Sequence, residues 1–470
     1  MSHDPVPDLL SRATELLEAE FAALPVVEPA SETGVDSAAI ARVLETTAHR
    51  LGDNYPYFHP LYAGQMLKPP HPVARAAYAL AMTINPNNHA RDGGRASSEM
   101  EIEAVAGLAR IFGWTEESGS YLGHLTSSGT LANLEALWVA GQLAPGRRIV
   151  ASEQAHYTHK RISAVLKLEF ASIPADNRGR MEIDALETEL RKGDVGTVVV
   201  TLGATAIGAV DPLDEILALS QKYGSRVHVD AAYGGYFRLI PEALGEPARR
   251  AFGAIGRADS IVIDPHKHGL QPYGCGCVLF RDSDVGRFYK HDSPYTYFTS
   301  KQLHLGEISL ECSRAGAAAV ALWATQQLFP LQPGGEFARG LARCRSAAVK
   351  LDVLLRQDPG TRFQPLAAGP PELDIVVWKL AAETPERASQ LARKLFVACA
   401  TRDLHLALVE LPLTWFQPAA AFHPGQQGAS EAGAGTVTCL RSVLMKPEHE
   451  AWLDNIWQRL TAAYEGVIGE

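Results

Sequence analysis

Across residues 73–329 the chain alternates between two hydrophobic periods. Short β-branched runs at 148–151, 197–201, 226–230, 260–263 and 276–280 read as strands buried on both faces. Between them, apolar positions at helical spacing predict helices over 130–140, 159–167, 183–191 and 213–223. Such alternation predicts an α/β architecture, a mainly parallel sheet covered on both faces by helices. Upstream, Leu9, Leu10, Ala13, Leu16, Leu17 and Phe21 form one stripe of a helix over 7–24, and a second amphipathic helix is expected over 37–50. Pro56, Pro60, Pro69, Pro70 and Pro72 mark residues 54–72 as a segment that wraps over a surface. Beyond a junction at 330–335 the pattern changes to helix (340–356), strand (373–380), helix (385–400), strand (436–444) and helix (448–464). Residues 418–435, rich in Gly, Ala and Pro, read as a mobile loop. The expected organisation is an N-terminal wrapping segment (1–72), a large α/β domain (73–330) and a small C-terminal α+β domain (331–470).

Composition narrows the class. With 46% hydrophobic and 20% charged residues in a chain of 470, this is an ordinary globular protein with ample core-forming material. A net charge of −10 with dispersed basic residues argues against a nucleic-acid footprint. Of six cysteines only Cys275 and Cys277 are close in sequence, and Cys-x-Cys without a second cluster is not zinc spacing. Their sparseness suits reduced thiols in the cytoplasm. Residues 1–24 lack a basic region followed by an apolar core, so no signal peptide is expected. Apolar tracts near 74–84 and 315–324 are too short to span a bilayer. The expectation is a soluble cytoplasmic protein whose partners are small molecules, with neither nucleic acid, membrane nor metal.

The chemistry is carried at strand ends. Ser260-Ile-Val-Ile-Asp264-Pro-His266-Lys267-His268-Gly269 brings a lysine between two histidines to the carboxyl edge of a sheet, where α/β folds place their ligands. Val227-His-Val-Asp230-Ala-Ala232-Tyr-Gly-Gly brings an aspartate, followed by small residues, to the same edge. A lysine for an imine and an aspartate for a pyridinium nitrogen are what pyridoxal phosphate requires of a protein. Leu125-Thr-Ser-Ser128-Gly129-Thr130 opens a helix with hydroxyls and free amides, either an anion site or an ordinary N-cap. His156 follows the strand at 148–151, and Thr205 follows the one at 197–201. One crevice can collect them all.

On these motifs the chain resembles the group II pyridoxal-phosphate-dependent amino acid decarboxylases, which include aromatic amino acid, tyrosine, histidine and glutamate decarboxylases. The resemblance implies a fold-type I transferase-like architecture with a seven-stranded-type sheet, a homodimer, and conversion of an L-amino acid to its amine and CO2. Aromatic substrates are favoured weakly. By the resemblance Lys267 bonds the cofactor aldehyde, Asp230 pairs with the pyridine nitrogen, His156 stacks on the ring and Ala232 lies under its other face. Thr205 would supply a hydroxyl near the ring, and Ser128, Gly129, Thr130 and His266 would hold the phosphate. Ser313 matches a segment reaching the phosphate across the dimer interface. Arg441 matches the arginine that grips the substrate carboxylate, and His59, Tyr62, Gln65 and Met66 fall where relatives contact substrate.

Both Tyr295 and Tyr297 are candidates for the loop phenol that returns a proton to the α-carbon, with Tyr297 preferred. Phe298 is adjacent, and a phenylalanine at the acid's position would divert the reaction towards an aldehyde. Aldehyde-forming decarboxylation, carbon–carbon lysis, transamination and a catalytically silent binding homologue are the alternative readings. His268 departs from the family, standing where a bulky apolar residue is common.

Overall fold

The computed structural model describes residues 6–25, 36–91, 93–115, 117, 119, 121–290, 309–416 and 435–469. The larger sheet has seven strands: β1 (Leu122–Thr126), β2 (Arg148–Ser152), β3 (Phe170–Ile173), β4 (Val195–Thr201), β5 (Arg226–Asp230), β6 (Ser260–Ile263) and β7 (Gly276–Phe280). Their order is β1-β7-β6-β5-β4-β2-β3. Only β7 runs antiparallel to its neighbours, so the other strands share one direction and leave the sheet at one edge. Every residue of β4 is buried, as its Val-Gly-Thr-Val-Val-Val-Thr run requires of a strand covered on both faces.

A second sheet, β8 (Phe363–Pro365), β9 (Ile375–Leu380), β10 (Ala407–Pro412) and β11 (Thr436–Val443), is antiparallel throughout, in the order β10-β11-β9-β8. Helices Glu336–Arg356, Pro385–Ala400 and His449–Gly469 pack on it, with Trp378 among the largest fully buried side chains. Among the described residues no helix is long and apolar enough to cross a membrane.

The five strands expected in the larger sheet form within two residues of their expected limits. Strands β1, β3, β8 and β10 were not anticipated. β1 reads Leu-Gly-His-Leu-Thr, with no β-branched residue before its end, and becomes a strand by pairing with β7. β3 is a four-residue edge strand, and β8 has three residues. Pairing partners decide such segments, and local propensity does not. The first helix stops at Glu20. Residues 418–434 of the expected loop lie outside the described residues.

Glu101, on helix Arg95–Ile111, seats β1. It is buried, and its Oε1 accepts from the Leu125 amide (3.0 Å) and from Arg314 (2.6 Å), while Oε2 accepts from Asn88 Nδ2 (2.6 Å). Arg314 also donates to the carbonyls of Leu125 (2.7 Å) and Asn88 (3.1 Å). Removing one member of a buried pair strands the other's charge, at a cost of about 3–5 kcal/mol. Glu101→Ala is therefore expected to lower unfolding free energy by about that much, read from urea denaturation midpoints. A loss under about 1 kcal/mol, the worth of an exposed pair, would show that β1 is held by its strand pairing alone.

Candidate active site

Asp230 ends β5, the middle strand of the seven. Burying a carboxylate there is unfavourable unless donors surround it. Two do. His159 Nε2 donates to Oδ2 at 2.8 Å, and the Ala232 amide donates to Oδ1 at 3.1 Å. Burial pushes the Asp230 carboxyl upward. The His159 hydrogen bond, the charges of His159 and Lys267, and the Ala232 amide outweigh it and hold the group below the usual carboxylate range. His159 is fully buried in the first turn of helix Thr158–Val165, which follows β2.

A second imidazole lies beneath. His228 is two residues before Asp230, on the same face of the strand. Its Nδ1 meets Ser260 Oγ at 2.8 Å and its Nε2 meets Asn133 Oδ1 at 2.8 Å, while Asn133 Nδ2 donates to the Gly129 carbonyl at 2.9 Å. Burial drives the His228 pKa down to about 3, so the ring is neutral and acts as a polar rivet. It joins β5 and β6 to the helix Gly129–Leu143.

That helix opens on the anion-type turn. Ser128 caps it, accepting from the Leu131 amide at 3.2 Å. The turn lies on the start of β7: a Cβ at Gly276 would stand 2.6 Å from the Ser128 carbonyl carbon and 2.9 Å from the Gly129 nitrogen. A Cβ at Gly129 would stand 2.5 Å from Asp264 Oδ2. Glycine at 129 thus lets the buried Asp264 carboxylate approach the positive end of the helix. Asp264 follows β6, its Oδ2 lies 3.0 Å from Lys267 Nζ, and its amide donates to the Ala232 carbonyl. His266 donates from Nδ1 to the Cys275 carbonyl at 2.7 Å, and burial lowers its pKa. A contact from its Nε2 to phosphate therefore needs the doubly protonated ring.

Lys267, Asp230, Ala232, His156, His266 and the turn Ser128-Gly129-Thr130 are brought together at one edge. His156 is half-buried, and its pKa is lowered first by burial, then pulled in opposite senses by Asp230 and Lys267. Thr205 is exposed in the loop after β4, with its carbonyl held by Arg441. Arg441, on β11, is buried and donates to the carbonyls of Thr205 (2.7 Å), Ala206 (3.0 Å) and Gly64 (3.2 Å). The Tyr62 hydroxyl accepts from the Gln65 amide at 3.2 Å, and the Met66 carbonyl accepts from Tyr273, whose ring packs on His266. Residues 62–66 thus run from Arg441 towards His266. His59 is not brought to the edge: its ring packs edge-on against Trp452 at 4.8 Å. Ser313 accepts from Asn87 Nδ2 at 3.2 Å. Tyr295, Tyr297 and Phe298 lie outside the described residues. Sequence reasoning missed His159 and His228. Their signals were present, as an imidazole one helical turn after His156 and a polar residue inside an apolar strand.

Residues 54–358 match the family model described as the pyridoxal-dependent decarboxylase conserved domain. The chain belongs to this family. It is 28% identical over 323 residues to a probable L-tyrosine/L-aspartate decarboxylase of Methanothermobacter thermautotrophicus, covering 66% of this chain and 84% of that protein. It is also 28% identical over 376 residues to the L-tyrosine decarboxylase of Enterococcus faecium, covering 58% of this chain and 60% of that protein. Among solved structures, Oryza sativa TDC with PLP and tryptamine aligns over 98% of this chain and 99% of its own, with a TM-score of 0.75 at 18% identity. Mouse CSAD aligns over 96% and 91%, with a TM-score of 0.73 at 22% identity. These two likenesses speak for the fold. The protein is thus a pyridoxal-phosphate-dependent carboxy-lyase of fold-type I acting on an amino acid.

The residues present fit that cofactor. A buried carboxylate kept ionised suits a pyridinium nitrogen, a helix N-terminus suits a phosphate, and Lys267 stands beside both. Because the Asp230 pKa is depressed on folding, its stabilising contribution is complete above about pH 4 and is lost as pH falls through the folded value. Replacing His159 by leucine removes the donor and leaves burial to raise that pKa. His159→Leu is expected to weaken pyridoxal phosphate binding by roughly tenfold or more, since each pKa unit is about 1.36 kcal/mol, and to bring acid unfolding to higher pH. His159→Gln, which keeps a donor, should lose less. Absorbance titration of apoenzyme with cofactor reads the first effect, and undiminished affinity in His159→Leu would refute the assignment.

Proposed function

We propose that the protein decarboxylates an aromatic L-amino acid, with L-tyrosine as the leading candidate, at an active site completed in a homodimer. The observation that carries the substrate's orientation is Arg441. Its guanidinium is buried, its three acceptors are neutral backbone carbonyls, and among the described residues no carboxylate lies within ion-pair distance. A buried cation without a counter-charge favours an incoming carboxylate, and the planar fork suits one. Burial lowers the Arg441 pKa, but an arginine stays protonated at neutral pH.

In this reading Lys267 holds the cofactor and yields its place to the substrate amine. Pyridoxal phosphate, when bound, supplies the electron sink for the pair released as CO2 departs. Asp230, kept ionised by His159, favours the protonated ring nitrogen on which that capacity depends. Ser128, Gly129 and Thr130 hold the phosphate, His156 and Ala232 flank the ring, and Arg441 grips the α-carboxylate. Tyr297, or Tyr295, returns a proton to the α-carbon. The aromatic preference rests on Tyr62, whose ring is packed among Tyr57, Tyr55 and His405, and on the names of the two relatives above.

Arg441→Gln is expected to raise KM for the amino acid roughly 10- to 100-fold, the worth of a charged hydrogen bond, while the cofactor absorbance persists. A panel of L-tyrosine, L-tryptophan, L-aspartate and L-glutamate, followed by CO2, amine and ammonia, should give the highest kcat/KM with tyrosine. Preferential turnover of L-aspartate would reject the aromatic reading, and ammonia without amine would reject simple decarboxylation.

The dimer is supported by the first two helices, Val6–Glu20 and Ser37–Leu51, which bury no side chain fully. Leu16, Phe21, Val43, Leu44 and Leu51 are each at least half exposed, an apolar surface suited to a second copy. Sedimentation equilibrium should return twice the 50.7 kDa chain mass, and deletion of residues 1–51 should return the single mass. A full-length monomer that decarboxylates at full rate would overturn this part.

A further inference from the structure

A cleft of about 630 Å³ is lined by His268 but by neither Lys267 nor Asp230. Two lysines line it. Lys446 is buried and donates to the Tyr62 carbonyl at 2.6 Å; Lys68 is part-buried and donates to the Met445 carbonyl at 3.3 Å. Among the described residues neither has a carboxylate within ion-pair distance. Burial disfavours the protonated form of each; at Lys446 the nearby Lys68 charge adds to it and the pKa falls to about 7, while at Lys68 the nearby Cys344, Asp374 and Glu448 work against it. Buried charges are ordinarily paired, so an anion entering the cleft would favour the protonated form of both amines.

The rest of the lining agrees. Exposed Arg339 and Arg343 stand at the rim with exposed Glu336 and Glu448, which leaves the lining with more cations than carboxylates. Leu270, Phe329 and Phe337 form an apolar wall. The volume lies in the range of small-molecule sites, and mixed apolar and charged walls are typical of them.

We infer that this cleft is a second binding site, for a small organic anion that carries a carboxylate or phosphate on an apolar body. It is separate from the amino acid site, since Arg441, Tyr62 and Lys267 are absent from its lining. His268 places it one residue from Lys267. That ring lies 3.2 Å from Asp374 Oδ2, off hydrogen-bond alignment, and Tyr233, three residues after Asp230, donates to the other oxygen of Asp374 at 2.6 Å. An anion in the cleft therefore sits against the same buried cluster that backs the cofactor lysine.

The test is calorimetric titration of holoenzyme saturated with pyridoxal phosphate, using phenyl phosphate as the probe. One saturable site per chain is expected, with Kd between roughly 10 µM and 1 mM, and inorganic phosphate should bind about tenfold more weakly because one ring's burial is worth at least 1.4 kcal/mol. The double variant Arg339→Ala/Arg343→Ala, altered only at exposed positions, should keep its thermal midpoint and lose at least about tenfold in affinity. Arg441→Gln should bind the probe as wild type does. Absence of saturable binding, equal binding by the double variant, or loss of binding in Arg441→Gln would each overturn the inference.

Discussion

A carboxylate buried at the end of the central strand is costly unless donors surround it, and the candidate active site supplies them at Asp230. Asp230 stays ionised because His159 reaches it from the helix after β2, two strands away in the sheet, and because the chain turns the Ala232 amide back onto it. Those donors come from the segments after β2 and β5, so the carboxylate's state depends on the parallel order of the sheet. If the strands leave the edge in any other arrangement, the acid is either hydrated or protonated. Neither serves a ring nitrogen that must stay cationic.

The same edge explains why glycines appear where they do. Gly129 and Gly276 allow the helix N-terminus, the start of β7 and the Asp264 carboxylate to close on one another, with backbone where a Cβ would otherwise stand. The polar rivet of Ser260, His228 and Asn133 then holds this helix to the sheet from beneath. Positive helix end, lysine and carboxylates are therefore fixed relative to one another before any ligand arrives, which is the condition for electrostatic preorganisation.

The smaller sheet closes the other side. Arg441 ties β11 to the loop after β4 and to Gly64 through carbonyls alone, and Lys446 ties the chain just beyond β11 to Tyr62 in the same way. Backbone carbonyls satisfy geometry but do not neutralise charge. Basic groups without an ion-pair partner among the described residues thus remain here, the buried Arg441 guanidinium and the Lys68 and Lys446 amines of the cleft that His268 lines, and anions would favour their charged forms.

Local pattern was enough to find the lysine, the aspartate, the phosphate-type turn and the five strands that carry most of them, because buried parallel strands and their ends leave strong marks in sequence. Hydrophobic period alone implied the layered α/β class. Pairing partners decided the rest. β1 and β10 are strands because β7 and β11 lie beside them, and His59 turns to Trp452 because the wrapped segment meets the last helix there. The roles of His159, His228 and Glu101 follow from approaches between distant segments, which no spacing along the chain encodes. Residue types are a local property, whereas the burial and partners that fix a charge are a property of the packed whole.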